Sequence, residues 1–210
     1  MEQAIRQLLL WLFTGERALV LTRNIPSREE LRAKLESIDT LGLYLHIPFC
    51  EQICPYCPYN KELYRDSLAE RYCDAVITEM NFYAEIIGKK PVTSLYIGGG
   101  TPTTMLDHDL GKMIGHLREV FNLQCDIHTE SHPNHLNADN LSRIKALGVE
   151  HLSLGVEALF DRHLKFLGRP YTVDGAKEAV RRAVAAGFKC VNVDVMFALP
   201  GQTYEEIEET

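Results

Sequence analysis

Residues 43–60 read LYLHIPFCEQICPYCPYN, an apolar alternation that runs directly into three cysteines, Cys50, Cys54 and Cys57, within eight residues. Leu43, Leu45 and Ile47 fall on one side of an extended chain and Tyr44 and His46 on the other, the period-2 pattern of a strand with one apolar face. The thiols therefore follow the C-terminal end of a strand, the edge at which parallel α/β folds assemble their sites. Three closely spaced thiolates suit a metal centre. Structural zinc wants a fourth ligand, and His46 is near in sequence but belongs to the strand rather than the loop. A cubane iron-sulfur cluster ordinarily takes four cysteines; held by three, it keeps an open coordination position on one iron.

Working outward, VTSLYIGGG, CDIHTES, EHLSLGVEAL and KCVNVDVMFALPG read as further strands. Helices are predicted near 64–88, 107–121, 138–147 and 174–186. In the last, Ala176, Ala179, Val180, Ala183 and Val184 form an apolar stripe, and Gly187 stands where a left-handed cap is wanted. Strand followed by helix, repeated about five times, predicts a parallel sheet with right-handed crossovers.

Alternation sorts the strand side chains into two faces. Leu43, Leu45, Ile47, Leu95, Ile97, Leu152, Leu154, Val156, Val191, Val193 and Val195 are expected to pack under helices. The opposite face is polar: Tyr44, His46, Ser94, Tyr96, Asp126, His128, Glu130, Ser153, Glu157, Asn192 and Asp194. A closed eight-stranded barrel fills its interior with branched apolar layers. Each polar group left unpaired in a dry core costs ~1–3 kcal/mol, so this pattern predicts an incompletely closed barrel with a polar ligand inside. A flat, doubly wound sheet carrying these residues at its strand ends is the competing architecture.

The composition is that of an ordinary soluble domain, 210 residues with 46% hydrophobic and 24% charged. A formal net charge of -7 supplies no electrostatic reason to bind a phosphate backbone, so no nucleic-acid partner is expected. Residues 1–38 read as a helical extension, with Ile5, Leu8, Leu9 and Leu12 on one face, then Ser27 and Glu30 spaced as a capping box. A membrane-surface helix fits poorly beside Glu2 and Glu16. The run LLLWLF falls far below the ~18–20 residues a membrane span needs, and no signal-cleavage pattern follows it. Of six cysteines, Cys73, Cys125 and Cys190 are scattered through apolar contexts and read as small buried hydrophobes. That usage predicts a reducing compartment, the cytoplasm. Thr203 and Glu206 make a second capping box, so YEEIEET opens a helix, and the full protein is expected to continue beyond Thr210.

Cys-x3-Cys-x2-Cys after a strand resembles the radical SAM superfamily, whose three cysteines hold a 4Fe-4S cluster and whose open iron chelates S-adenosyl-L-methionine. YLHIPFC, GGGTPT at 98–103, HLSLGVE followed by LGRPYT, and NVDVMFALPGQT resemble the oxygen-independent coproporphyrinogen III oxidases and their close relatives, over about residues 41–210. The resemblance implies a partial (β/α)6-type radical SAM barrel ending after about five βα units, with residues 1–38 as the helical extension and 39–210 as the core domain. It implies Cys50, Cys54 and Cys57 as cluster ligands. Against the S-adenosyl-L-methionine it implies Tyr56 on the adenine, Gly99, Gly100 and Thr101 near the methionine moiety, and Glu130, Glu157, Arg169 and Asp194 around the cofactor, with Tyr44 secondary. Taken alone, Tyr56 is equally a packed loop tyrosine, Tyr44 a packing residue with a satisfied hydroxyl, and Arg169 with Asp194 a structural ion pair. His46, His128 and His132 read as core or rim histidines.

The implied activity is cleavage of S-adenosyl-L-methionine to a 5'-deoxyadenosyl radical, and oxidative decarboxylation of a tetrapyrrole-like substrate, with an electron donor such as flavodoxin or ferredoxin. No residue is assigned to substrate chemistry. The alternatives are a haem-binding chaperone, a methyltransferase acting on haem or a related substrate, and a zinc-stabilised binding module. Three departures bear on them. Tyr59 stands where the oxidases carry a further cysteine, Glu157 where Gln is common, and His151 where Arg is common.

Overall fold

A computed structural model describes residues 26–107 and 109–209. The expected N-terminal helical face of Ile5, Leu8, Leu9 and Leu12 lies outside them, as do Glu2 and Glu16. The chain divides between Glu36 and Ser37 into two units. In the first, α1 (Arg28–Glu36) begins with the expected capping box. Ser27 N–H donates to the Glu30 carboxylate at 2.7 Å, and Glu30 N–H donates to Ser27 Oγ at 3.2 Å.

The second unit runs β1 (Leu41–Ile47), β2 (Phe49–Cys50), β3 (Glu62–Leu63), α2 (Asp66–Ile87), β4 (Pro91–Gly99), α3 (Asp109–Val120), β5 (Asn122–Leu123) and β6 (Ile127–Ser131). It continues through α4 (Ala138–Ala146), β7 (Val149–Glu157), α5 (Asp161–Phe166), α6 (Val173–Ala185), β8 (Cys190–Val195) and α7 (Tyr204–Glu208). The main sheet is parallel, in the order β1-β4-β6-β7-β8, with short β5 against the start of β4. Each long strand joins beside the one before it. A doubly wound sheet reverses direction at a switch point, and this one never does, which is the order of a barrel wall. Among the described residues no helix is long and apolar enough to cross a membrane.

The apolar face behaves as alternation predicts on β1, β4 and β7, where Ile47, Leu95, Ile97 and Leu154 are all fully buried. Two expectations fail at the edge. Val193 and Val195 are 36% and 46% exposed, and Cys190, read as buried, is exposed as well. The cause is common: β8 has one strand neighbour, β7. In α6 the buried stripe narrows to Ala176, Ala179 and Ala183, with Val184 on the exposed flank. Its small side chains permit close approach to the sheet, and Gly187 at φ 76° supplies the left-handed turn that ends it.

Register aligns Tyr44, Tyr96, His128 and His151 across four strands of the polar face. Their rings stack laterally, with centroids 6.1, 6.4 and 3.9 Å apart. Every buried side-chain nitrogen or oxygen among the described residues has a hydrogen-bond partner, so the polar face folds without stranded groups.

Leu154 is fully buried at the centre of β7. Leu154→Ala should destabilise the chain by about 2–5 kcal/mol. Urea unfolding checks this, and a loss well under 1 kcal/mol would contradict the assigned core.

Candidate functional site

Cys50 closes β2 and the chain then loops out, returning as β3 to pair with β2. Glu62 N–H donates to Pro48 O at 2.8 Å and Tyr64 N–H to Cys50 O at 2.9 Å, closing the loop at its base. Inside it Cys57 N–H donates to Cys54 O at 3.2 Å, a turn that links the second and third cysteines. All three thiols are free and half-buried. Among the described residues no group of three or more His, Cys, Asp or Glu side chains is arranged around a single ion. A cubane makes a different demand, one thiolate at each of three corners.

Two tethers hold the loop from outside. Gln52 Nε2 donates to Gly168 O at 2.9 Å. On the other flank Glu51 accepts from His135 Nε2 at 3.2 Å, while His135 Nδ1 pairs with Thr103 Oγ1 at 2.7 Å and Thr103 with Ser131 Oγ at 3.0 Å. Thr103, Ser131 and His135 are buried, so this chain of polar groups stiffens the wall under the loop. Sequence reading missed it, because residues 51, 103, 131 and 135 share no motif.

The glycine triplet ends β4 against the same loop. Gly99 has φ 126° and its N–H donates to Glu130 Oε2 at 2.9 Å. A Cβ on Gly100 would lie 2.6 Å from Phe49 O and 2.8 Å from Cys50 Sγ. Gly100 is therefore required by the loop itself, a reason separate from access to a cofactor. Thr101 Oγ1 donates to Cys50 Sγ at 3.8 Å. Burial pushes the Cys50 thiol pKa up, and that donation opposes it.

Glu130, Glu157 and Asp194 stand on successive strands β6, β7 and β8, each held differently. Glu130 accepts from Tyr96 Oη at 2.9 Å in addition to Gly99. Asp194 accepts from Ser153 Oγ at 2.9 Å and Asn192 Nδ2 at 2.8 Å. The alternative reading of Arg169 and Asp194 as a structural ion pair is not met; Arg169 instead approaches Glu157, at 3.9 Å. Its shorter bonds go to Gly155 O and Tyr171 Oη, both at 2.7 Å, and Nη1 lies 3.2 Å from Cys54 Sγ.

Tyr56 packs against the cluster of Ala158, Leu164, Leu167 and Leu199, with its hydroxyl 3.5 Å from Arg169 Nη1. Tyr44 is 59% exposed, its ring stacked on Tyr96 and its hydroxyl donating to His46 Nδ1 at 3.1 Å. His46 Nε2 in turn donates to Asn60 O at 3.2 Å, the carbonyl fixing the tautomer. His132 is a neutral imidazole: burial, then Arg169 and His135, lower its pKa to about 3. Tyr171, pushed up to about 12 by burial, keeps its proton and donates to the carbonyls of β7.

A family profile described as the radical SAM superfamily matches residues 44–210. The chain belongs to the radical SAM superfamily.

Among curated radical SAM relatives, the heme chaperone HemW of Bacillus subtilis is 34% identical over 170 residues, 80% of this chain and 45% of that protein. The oxygen-independent coproporphyrinogen III oxidase of Escherichia coli is 32% identical over 173 residues, 81% of this chain and 38% of that protein. The solved coproporphyrinogen III oxidase (HemN) of Escherichia coli superposes with a TM-score of 0.82 at 28% identity, covering 97% of this chain and 48% of that one. The chain spans less than half the length of each. With this superposition the fold is that of a radical SAM barrel wall, in part.

Glu157 has a carboxyl pKa raised by burial and by Asp194, against the opposing pull of Arg169. Folding therefore takes up a proton there. The stability it contributes is complete below the unfolded value of about 4.3 and is lost as pH rises through the raised folded value. Glu157→Gln should accordingly melt higher than the parent chain at pH 7, with the gain shrinking toward pH 4. Differential scanning calorimetry at the two pH values checks it; a pH-independent difference would remove burial as the cause.

Proposed function

We propose that Cys50, Cys54 and Cys57 hold a 4Fe-4S cluster with one open iron, and that the polar face beside it binds S-adenosyl-L-methionine. The observation that carries this reading is the three-thiol loop itself, free of disulfides, seated at the C-terminal edge of a parallel sheet and closed by Gly100. When bound, the reduced cluster supplies the electron that splits the sulfonium bond and yields a 5'-deoxyadenosyl radical for hydrogen abstraction. The chain's own residues orient the cofactor. Glu130 and Asp194, each already bonded by two donors, present fixed negative charge to a cationic ligand at little reorganisation cost. Tyr56, Gly99, Gly100, Thr101, Glu157 and Arg169 complete the wall, and Tyr44 adds an exposed aromatic side chain whose hydroxyl is bonded to His46.

For the whole protein, the names of the relatives support a tetrapyrrole substrate, with oxidative decarboxylation of a coproporphyrinogen-like molecule as the first reading. The electron would come from a low-potential donor such as flavodoxin or ferredoxin. Free thiols suit a reducing cytoplasm. One observation favours haem handling instead. Tyr59, where the oxidases resembled carry a further cysteine, is 67% exposed on the loop, and the heme chaperone is among the relatives.

Anaerobic reconstitution with iron and sulfide should give charge-transfer absorbance that Cys54→Ala abolishes. Dithionite with S-adenosyl-L-methionine should then release 5'-deoxyadenosine, measured by chromatography. A chain that incorporates zinc, or no metal at all, would end this reading. Stoichiometric haem binding without porphyrinogen turnover would select the chaperone reading over the oxidase one.

A further inference from the structure

Arg169 is held more completely than a cofactor contact alone requires. Its side chain is 7% exposed, and its planar fork is engaged along its length. Nε donates to Tyr171 Oη at 2.7 Å and Nη2 donates to Gly155 O at 2.7 Å. With those two directions fixed, the remaining nitrogen Nη1 lies 3.2 Å from Cys54 Sγ. The ion pair with Glu157, at 3.9 Å, is longer than either oxygen bond and does not set this orientation.

Tyr171 is itself locked. Its hydroxyl donates to the β7 carbonyls, with Gly155 O at 2.7 Å and Val156 O at 3.0 Å, leaving a lone pair for Arg169 Nε. The ring packs on the Ala158, Leu164, Leu167 and Leu199 cluster and stands edge-on to His132 at 5.2 Å. The guanidinium carbon sits 5.0 Å from the ring centroid, adding a cation–π contact.

We propose that Tyr171 is a positioning residue that aims Arg169 at Cys54 Sγ, and that this charged N–H···S bond makes the cluster on the three thiolates easier to reduce. The proposal rests on the cluster reading above. A cluster that takes one electron from an external low-potential donor gains one negative charge, with no bond made or broken. Hydrogen bonds and positive charge at its sulfurs stabilise that reduced form. Arg169 meets both conditions from a buried position, where screening by water is weak.

The test is a dithionite titration with mediators of the reconstituted chain, followed by paramagnetic resonance, comparing Tyr171→Phe, Arg169→Lys and the double variant. Arg169→Lys keeps the charge but loses the fork, and should lower the reduced-to-oxidised ratio about tenfold at a fixed solution potential, or 59 mV for a one-electron couple. Tyr171→Phe should produce about a threefold part of that, and the double variant no more than Arg169→Lys, as expected if the tyrosine acts through the arginine. Potentials equal to the parent in both single variants, at equal iron and sulfide content, would overturn the proposal, as would fully additive effects. If Tyr171→Phe loses its fold by circular dichroism, an unshifted Arg169→Lys overturns it alone. A parent chain with no cluster absorbance defeats the underlying reading as well, and is recognised before any titration begins.

Discussion

The site depends on the closeness with which β4 meets the β1–β2 strand. Gly100 N–H donates to Ile47 O and Thr101 N–H to Phe49 O, both at 2.7 Å, stitching the end of β4 to the start of the thiol loop. Any side chain at position 100 would intrude on Phe49 O and on the Cys50 sulfur. The glycine thus fixes where the first thiol can be. The loop tethers at Glu51 and Gln52, and Arg169 beside Cys54, act on a segment whose root is already set.

From that root the polar face divides its charges by environment. Glu130 and Asp194 are each satisfied by two donors. Glu157 is more deeply placed, its nearest cation committed to a carbonyl and a tyrosine, and its carboxyl is correspondingly reluctant to ionise. Three carboxylates that look equivalent as letters on successive strands therefore sit in different surroundings. Burial and partner count, not residue type, make the difference.

Alternation and motif spacing were enough to read the strands, the four longer helices of the second unit, both capping boxes and the loop of three thiols, because each depends on neighbours a few residues apart. The family followed from the same local words. The short pairs β2–β3 and β5, the helix α5 and the exposed valines of β8 were not legible, since each reflects what lies alongside in space. The same holds for the alanine-only buried stripe of α6, which a count of apolar residues overstates.

By itself, then, the chain of letters determined a parallel α/β wall with a thiol-bearing loop at its C-terminal edge. Only the tertiary structure decided which groups meet there: Tyr44, Tyr96, His128 and His151 stacked in a row, Glu51 on His135, and Arg169 held by Tyr171 against Cys54 rather than paired with Asp194. The physical reason is range. Strand and helix patterns are set by local backbone geometry, whereas these contacts join residues 23 to 115 positions apart or depend on a buried guanidinium choosing among several acceptors. That choice is made by strand register and packing, which no short stretch of sequence contains.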